Sequence, residues 1–354
     1  MADSNKITKR LTDRSRLSEV DFKNIAFGHV YSDHMFMIDY LDGMWQKQSI
    51  EPYDYIKLLP GAAILHYAQT VFEGLKAYRG QNGETLVFRP DMNFKRLNKS
   101  AERLCIPNIP EDILMNGMDE LLRIDSAWVP DLPGTSLYIR PFIFATEENI
   151  GVKPADKYKF ILFTCPVGAY YSKPVKVKIE TIFSRTVSGG TGFAKAGGNY
   201  ASSLYPAKLA NEDGYDQLIW TDGQTHKFIE EAGTMNLMFV VDNVLITAET
   251  GDTVLNGITR DSVITLARDW GMQVEVRQIT VEEVISGLEE GKIQEAFGVG
   301  TAATVAHIEL IGYEGKDYTL PEINDEFFSS RVARELDGIK TGKIADKFGW
   351  IHKV

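Results

Sequence analysis

Cysteine is scarce in this chain: 354 residues hold only two, Cys105 and Cys165. Two thiols cannot build a disulfide framework, so the fold must rest on a hydrophobic core, with both thiols expected free, buried or half-buried, in a reducing compartment. Positive charge is short as well. Lysine and arginine number 38 against 49 acidic residues, a formal net charge of -11. Such a surface repels phosphodiester backbones and anionic headgroups at long range, which argues against nucleic-acid and membrane partners, although a local pocket for one small phosphate stays open. Long apolar runs are missing too, and none approaches membrane-spanning length. The N-terminal stretch mixes Lys6, Lys9, Arg10, Arg14 and Arg16 with Asp3, Asp13 and Glu19 and lacks the apolar segment of a signal peptide. The expectation is a soluble, cytoplasmic protein. No internal repeat or low-complexity segment is present.

What is there is an ordinary globular composition at a length that favours two domains. The N-terminal half reads as strands at 35–40, 75–78 and 85–89, the last two joined by the turn Gly80-Gln81-Asn82-Gly83. Pro90 opens a helix whose face carries Phe94, Leu97, Ala101 and Leu104, and Asn108 and Pro110 mark its exit. A second helix over 111–126 is signalled by Leu114, Met118, Leu121 and Leu122; strands at 135–144 and 158–164 close this half. Strands with interspersed helices predict an α+β domain. From Pro166 to about Gly198 the chain is rich in Gly, Ser, Thr and Lys, interrupted by the alternating Val175, Val177 and Ile179. This is the candidate connection between domains. Beyond it the pattern gives strands at 217–220, 236–241 and 244–247, a helix from near Thr259, and a strand at 273–279. A helix at 281–288, a strand near 295–298 and a last helix over 321–336 complete it.

Four stretches carry chemistry. Phe193-Ala194-Lys195-Ala196-Gly197-Gly198-Asn199-Tyr200 flanks a lysine with residues small enough for a ligand to approach the backbone. Phe228 to Asn236 places Glu230 and Glu231 at the edge of an apolar strand, with Ala232-Gly233-Thr234 following. Leu255-Asn256-Gly257-Ile258-Thr259-Arg260-Asp261 runs a glycine loop into a helix start, where free N–H groups and the helix dipole favour a phosphate. Gly298-Val299-Gly300-Thr301-Ala302-Ala303 exposes backbone donors and a hydroxyl at the end of a strand. Singly, each also has a plain structural reading: a solvated lysine, an exposed strand end, a capped helix, a tight turn.

Together, in this order, the four closely resemble branched-chain aminotransferases, members of the fold-type IV pyridoxal-phosphate enzymes. Phe72-Glu73-Gly74-Leu75-Lys76-Ala77, Phe88-Arg89-Pro90, Ser136-Leu137-Tyr138-Ile139-Arg140-Pro141 and Val167-Gly168-Ala169-Tyr170 are similar to that family as well, so the resemblance runs from about Phe72 to Pro321. It implies a two-domain fold like that of D-amino-acid aminotransferase. A small α+β domain would span 1–166, a linker 167–185, and a larger pyridoxal-phosphate-binding domain with a β-barrel-like core 186–354. It assigns Lys195 to the covalent bond with the cofactor aldehyde, Tyr200 to the cofactor's phenolic oxygen and Glu231 to the pyridine nitrogen. Arg89, Ile258, Thr259 and Thr301 become phosphate contacts and Thr234 a further cofactor neighbour. Tyr67, Phe72, Tyr138 and Tyr170 would wall the substrate side chain, Tyr138 and Arg140 would meet the distal carboxylate of glutamate, and Thr301 and Ala302 the α-carboxylate.

The implied reaction moves an amino group between L-leucine, L-isoleucine or L-valine and 2-oxoglutarate by a ping-pong route, in a homodimer to which Tyr67 contributes across subunits. Two alternatives stay open. Within the same fold, a D-amino-acid aminotransferase or an aminodeoxychorismate lyase would use the same lysine and glutamate; outside enzymes, a phosphate-ligand-binding scaffold could keep the fold without turnover. One departure is informative: some relatives carry a Cys-X-X-Cys pair after the Gly-Thr-Ala turn, where this chain has Ala303 and Ala306, which excludes a thiol switch there.

Overall fold

Alternating side chains build the first of two units, which comprises Met1–Tyr170, Ala194–Gly198 and Gly338–Val354. The computed structural model describes residues 6–168, 171 and 173–354. Its chain runs through β1 (Thr8–Lys9), β2 (His34–Leu41), β3 (Met44–Trp45), β4 (Ser49–Pro52), the single turn α1 (Ile64–Tyr67), β5 (Thr70–Phe72), β6 (Leu75–Arg79) and β7 (Thr85–Phe88). The helices α2 (Pro90–Arg103) and α3 (Glu111–Ile124) follow, then the long strands β8 (Ser136–Ala145) and β9 (Tyr158–Val167).

β8 and β9 pair antiparallel from Ser136↔Val167 to Ala145↔Tyr158, and β2 continues the sheet with Phe36↔Leu162 and Ile38↔Phe160. Leu75, Ala77, Leu137, Ile139, Ile143, Phe160, Leu162, Phe36 and Ile38 therefore share one face, and all are at most 1% exposed. The amphipathic helices cover it: Phe94, Leu97 and Ala101 of α2 and Leu114, Met118, Leu121 and Leu122 of α3 are fully buried. Gly117 is required there, because a Cβ would stand 2.3 Å from the Phe36 ring. Period-two alternation sends the intervening residues Tyr138, Arg140, Phe142, Phe163 and Cys165 to the opposite face. Gly74, on that side, has no room for a Cβ beside the Tyr138 hydroxyl.

The second unit, Tyr171–Phe193 and Asn199–Asp337, is a barrel. Its strands are β10 (Val175–Ile179), β11 (Gln217–Thr221), β12 (Ile229–Ala232), β13 (Met235–Val241), β14 (Val244–Thr247), β15 (Val274–Val276), β16 (Ile293–Gly300), β17 (Thr304–Tyr313) and β18 (Lys316–Thr319). The order β12-β11-β10-β17-β16-β13 closes because β12 also pairs with β13, and β14 and β15 extend it. Val175, Val177, Ile219, Leu237, Phe239, Ile308 and Ile311 fill its core. Around it lie α4 (Gly197–Ala201, starting in the first unit), α5 (Leu204–Glu212), α6 (Ile258–Asp269), α7 (Val281–Glu289) and α8 (Phe328–Lys340, ending in the first unit). α7 starts where its sequence says it should: Thr280 Oγ accepts the Glu283 N–H at 2.9 Å. α6 differs, since Gly257 at its N-cap has no side chain to close the first turn.

The structure corrects several expectations. The segment 167–185 holds more than a connection, because β10 lies in it; buried Val175, Val177 and Ile179 pair parallel with β11 and β17. Ala194–Gly198 and Gly338–Val354 group with the first unit and not with a large C-terminal domain. Val71 bridges Ala196, and a final strand, β19 (Ile351–Lys353), pairs with β7. The last helix begins at Phe328 instead of Pro321 and runs on to Lys340. Its start is set from a distance by Glu295 of β16, which accepts the N–H groups of Phe328 and Ser329 at 2.7 and 2.9 Å. Of the two free thiols, Cys165 is buried but Cys105 is exposed, on a residue with φ +57 just past α2. No helix among the described residues is long and apolar enough to cross a membrane.

Candidate active site

In the first unit Lys195 is half-buried and its peptide is held on both sides. Its N–H donates to Ser100 Oγ of α2 at 3.0 Å, and its carbonyl accepts the Phe72 N–H at 3.0 Å. Small flanking residues allow this closeness. A Cβ at Gly197 would stand 2.6 Å from Thr70 Cγ2, and Ala196 pairs directly with Val71. Lys195 Nζ lies 5.1 Å from the Phe72 ring centroid, and the Arg140 guanidinium lies 4.6 Å from the same centroid. Arg140 also donates to the Tyr138 hydroxyl at 3.0 Å, while its buried Nε–H finds no acceptor among the described residues. Lysine, phenyl ring, guanidinium and phenol thus form one group on the sheet face that the helices leave uncovered.

Arg89 occupies the N-cap of α2 in the left-handed region, φ +49. Its N–H donates to the Trp350 carbonyl at 2.7 Å and its guanidinium lies 5.4 Å from the Trp350 ring. Tyr67 is 39% exposed and its hydroxyl donates to the Ile150 carbonyl. Tyr170 lies outside the described residues.

In the second unit Glu231 is 4% exposed. Its carboxylate is paired with Arg185 Nη2 at 2.8 Å and accepts from Asn236 Nδ2 and the Leu255 N–H, each at 3.1 Å. Asn236 Nδ2 also donates to the Leu255 carbonyl at 2.8 Å, so one amide ties the acid to the loop that enters α6. Gly257 must be glycine there, because a Cβ would fall 1.8 Å from Asn236 Oδ1. Ile258 and Thr259 open α6 and are buried. Glu230 is buried too, 7% exposed, with Oε2 unpartnered among the described residues. Burial pushes its carboxyl above the usual range, against a hydrogen bond from Thr253 and the nearby Arg185 charge. Of the two neighbours, Glu231 is the one whose carboxylate meets a guanidinium and two N–H donors. Arg185 spans Glu231 and the Thr253 carbonyl, the latter at 2.6 Å, yet its buried Nε–H has no acceptor among the described residues. Thr301 and Ala302 form the half-buried turn between β16 and β17, and Thr234 is exposed on the turn between β12 and β13. Tyr200 is half-buried in α4.

Sequence reasoning passed over three groups. Arg185 stood in a loop of small residues with nothing local to mark it. Glu73, quoted only as part of a motif, is fully buried and bound by Arg96 and Asn93 of α2. Lys76 is 8% exposed, opposite Tyr138 in the β6–β8 pairing, and burial pushes its ammonium down to about 8. A lysine or glutamate inside an otherwise apolar run was the available sign for the last two.

Comparison with known proteins follows the same lines. The family model described as amino-transferase class IV matches residues 70–311. "Branched-chain-amino-acid aminotransferase 2" of Bacillus subtilis (strain 168) is 46% identical over 343 residues, 94% of this chain and 93% of that protein. Among solved structures, the Escherichia coli branched-chain amino acid aminotransferase superposes with TM-score 0.73 at 28% identity, covering 89% of this chain and 98% of that one. The branched-chain aminotransferase of the thermophilic archaeon Thermoproteus uzoniensis, solved with norvaline, gives 0.74 at 26% identity, covering 90% and 99%. A further branched-chain amino acid aminotransferase, complexed with N-(5'-phosphopyridoxyl)-L-glutamate, gives 0.72 at 25% identity, covering 89% and 97%.

Proposed function

Since the chain belongs to the class IV aminotransferases and, within them, to the branched-chain-amino-acid group, we propose that Lys195 is the residue that binds pyridoxal 5′-phosphate and moves the reacting proton. The reaction is the transfer of an amino group between L-leucine, L-isoleucine or L-valine and 2-oxoglutarate. Similarity to branched-chain aminotransferases over nearly the whole of both chains carries this reading.

The side chains present suit an anionic, aromatic cofactor. Two buried guanidinium Nε–H groups, of Arg140 and Arg185, lack acceptors among the described residues, and α6 begins at Gly257 with no side-chain cap, the kind of helix start whose dipole suits a phosphate. Arg89, the amides of Ile258 and Thr259, and Thr301 would hold the phosphate. Tyr200 would meet the phenolic oxygen, with Thr234 beside the ring. When bound, pyridoxal phosphate supplies a sink for the electron pair left at the substrate α-carbon.

Glu231, paired with Arg185, would face the pyridine nitrogen and hold a proton there. Lys195 would serve as the base that takes the proton from the substrate α-carbon and, once protonated, as the acid that gives it back. Phe72 and the aromatic side chains of Tyr67, Tyr138 and Tyr170 favour branched aliphatic groups. Tyr138 and Arg140, already hydrogen-bonded to one another, give the distal carboxylate of glutamate a charged partner in that same wall. The amides of Thr301 and Ala302 take the α-carboxylate.

Assembly as a homodimer is part of the same proposal. Leu59, Leu65, Ile150 and Val152 are 59 to 89% exposed. They are brought together where Asn149 N–H donates to the Gly61 carbonyl and Tyr67 reaches Ile150, and an apolar patch of this kind marks a contact surface. A reducing cytoplasm suits the two unpaired thiols. The deciding experiment supplies the enzyme with L-leucine and 2-oxoglutarate, then with D-alanine, and traps the lysine with borohydride before peptide mapping. Conversion of L-leucine and an adduct on Lys195 are expected. Conversion of the D-substrate alone would transfer the reading to a D-amino-acid aminotransferase, and a colourless protein that gains no visible band with pyridoxal phosphate would leave only a scaffold.

A further inference from the structure

The Lys195 peptide is held from two directions by chain segments that are themselves joined by a buried ion pair. One arm is the end of β5, where the Phe72 N–H meets the Lys195 carbonyl; the other is α2, where Ser100 Oγ accepts the Lys195 N–H. Glu73 follows Phe72 directly, and Arg96 stands one turn before Ser100. Arg96 Nε lies 2.6 Å from Glu73 Oε1 and Nη2 lies 2.9 Å from Oε2, a two-point fork. Asn93, also on α2, donates to Oε2 at 2.8 Å, and the Gly74 N–H reaches it at 3.1 Å. Glu73 is 0% exposed and the Arg96 side chain 11%. The Glu73 N–H is itself held by the Pro141 carbonyl at 2.8 Å, one residue beyond Arg140.

We infer that the Glu73–Arg96 pair is the positioning device for Lys195: it locks to each other the two arms of the bracket that hold the Lys195 peptide. A carboxylate in this place has no other task in the reading above, and a purely apolar corner would close the same space with less desolvation cost. Burial pushes the Glu73 carboxyl up, but Arg96, with a through-space contribution from Lys195, holds it below the usual carboxylate range. Glu73 and Arg96 meet at this corner, and Arg140 shares the Phe72 ring with Lys195, at 4.6 and 5.1 Å from its centroid. Glu73 is a positioning residue, not a catalytic one. The bracket itself stands on geometry; its consequence for turnover rests on Lys195 being the cofactor-bearing residue.

Charge and scaffold separate in a pair of variants. Glu73→Gln removes the negative charge and leaves a guanidinium, so the Lys195 amine loses its proton more easily; Arg96→Gln leaves the carboxylate, so it holds the proton more tightly. The readout is the pH dependence of Lys195 acylation in the full-length, cofactor-free protein, followed by peptide mapping. At mildly alkaline pH, Glu73→Gln is expected to react about threefold faster and Arg96→Gln about threefold slower than the parent, shifts of roughly half a pH unit in opposite senses. Shifts of the same sign, or none, overturn the proposal. Should either variant fail to fold, Ser100→Ala takes its place, because it cuts one arm and leaves the ion pair intact. The expected result is kcat lower by about tenfold with KM within twofold, since only the placement of the amine has changed. Unchanged kcat overturns the bracket. Borohydride trapping on some other lysine would instead sink the functional reading while leaving the acylation result standing.

Discussion

Two buried glutamates, one in each unit, are bound by the same set of partners and differ in one respect. Glu73 has Arg96, Asn93 Nδ2 and the Gly74 N–H; Glu231 has Arg185, Asn236 Nδ2 and the Leu255 N–H. Around Glu73 the fork is complete, both carboxylate oxygens facing both arms of the guanidinium. At Glu231, Arg185 divides itself between the carboxylate and the Thr253 carbonyl, and its Nε–H has no acceptor among the described residues. A closed network fixes the chain, whereas an open one leaves capacity for a ligand. The first kind of acid should therefore govern stability and geometry, and the second chemistry.

The largest effects fall where that contrast is sharpest. Glu231→Gln is expected to slow transamination by roughly 10²- to 10⁴-fold with cofactor still bound, as loss of a group acting on a proton does, and steady-state kinetics with a visible spectrum will show both. Glu73→Gln should instead cost about 3 to 5 kcal/mol in chemical denaturation, because it strands a buried guanidinium, with Glu231→Gln costing clearly less. Equal losses of stability in the two variants would erase the distinction between closed and open networks.

A smaller effect is expected at Arg140, whose Nε–H is also unpartnered among the described residues. Arg140→Leu should raise KM for 2-oxoglutarate by about tenfold to a hundredfold, the worth of one charge-assisted hydrogen bond, with little change for L-leucine. A parallel rise for both substrates would return Arg140 to the packing of the sheet.

The smallest concerns Glu230. Its folded carboxyl titrates above the unfolded one, so folding is most favoured while it is protonated, and stability is lost as pH rises from the unfolded value through the raised one. Glu73 has the opposite sign: its stabilisation is present above the unfolded value and is lost as pH falls through the lowered one. Glu230→Gln should accordingly stabilise the protein at neutral pH, with the gain vanishing in mild acid. A gain that persists in acid would point to packing, not charge.

Much of this was legible in the sequence. The strands at 85–88 and 136–145, the helices after Pro90 and before Glu290, and the stretches around Lys195, Glu231, Ile258 and Thr301 announce themselves through period, caps and small residues. What stayed hidden depends on partners far along the chain. Arg185 looks like any loop arginine until the fold brings Glu231 to it. The start of α8 waits on Glu295. β10 reads as a connection because only closure of the barrel buries its three apolar residues. Glu73 was the instructive omission: a charged residue between two apolar strand segments signals that a counter-charge awaits it, though no local pattern names Arg96.

The pairing of β19 with β7 sets a timetable for the chain as it is made. Arg89 and its neighbours leave the ribosome early, but the Trp350 carbonyl and ring that fix them are synthesised some 260 residues later, by the spacing of the two positions. The Lys195 segment is made well before that, but until β19 appears β7 lacks the strand that covers its outer edge.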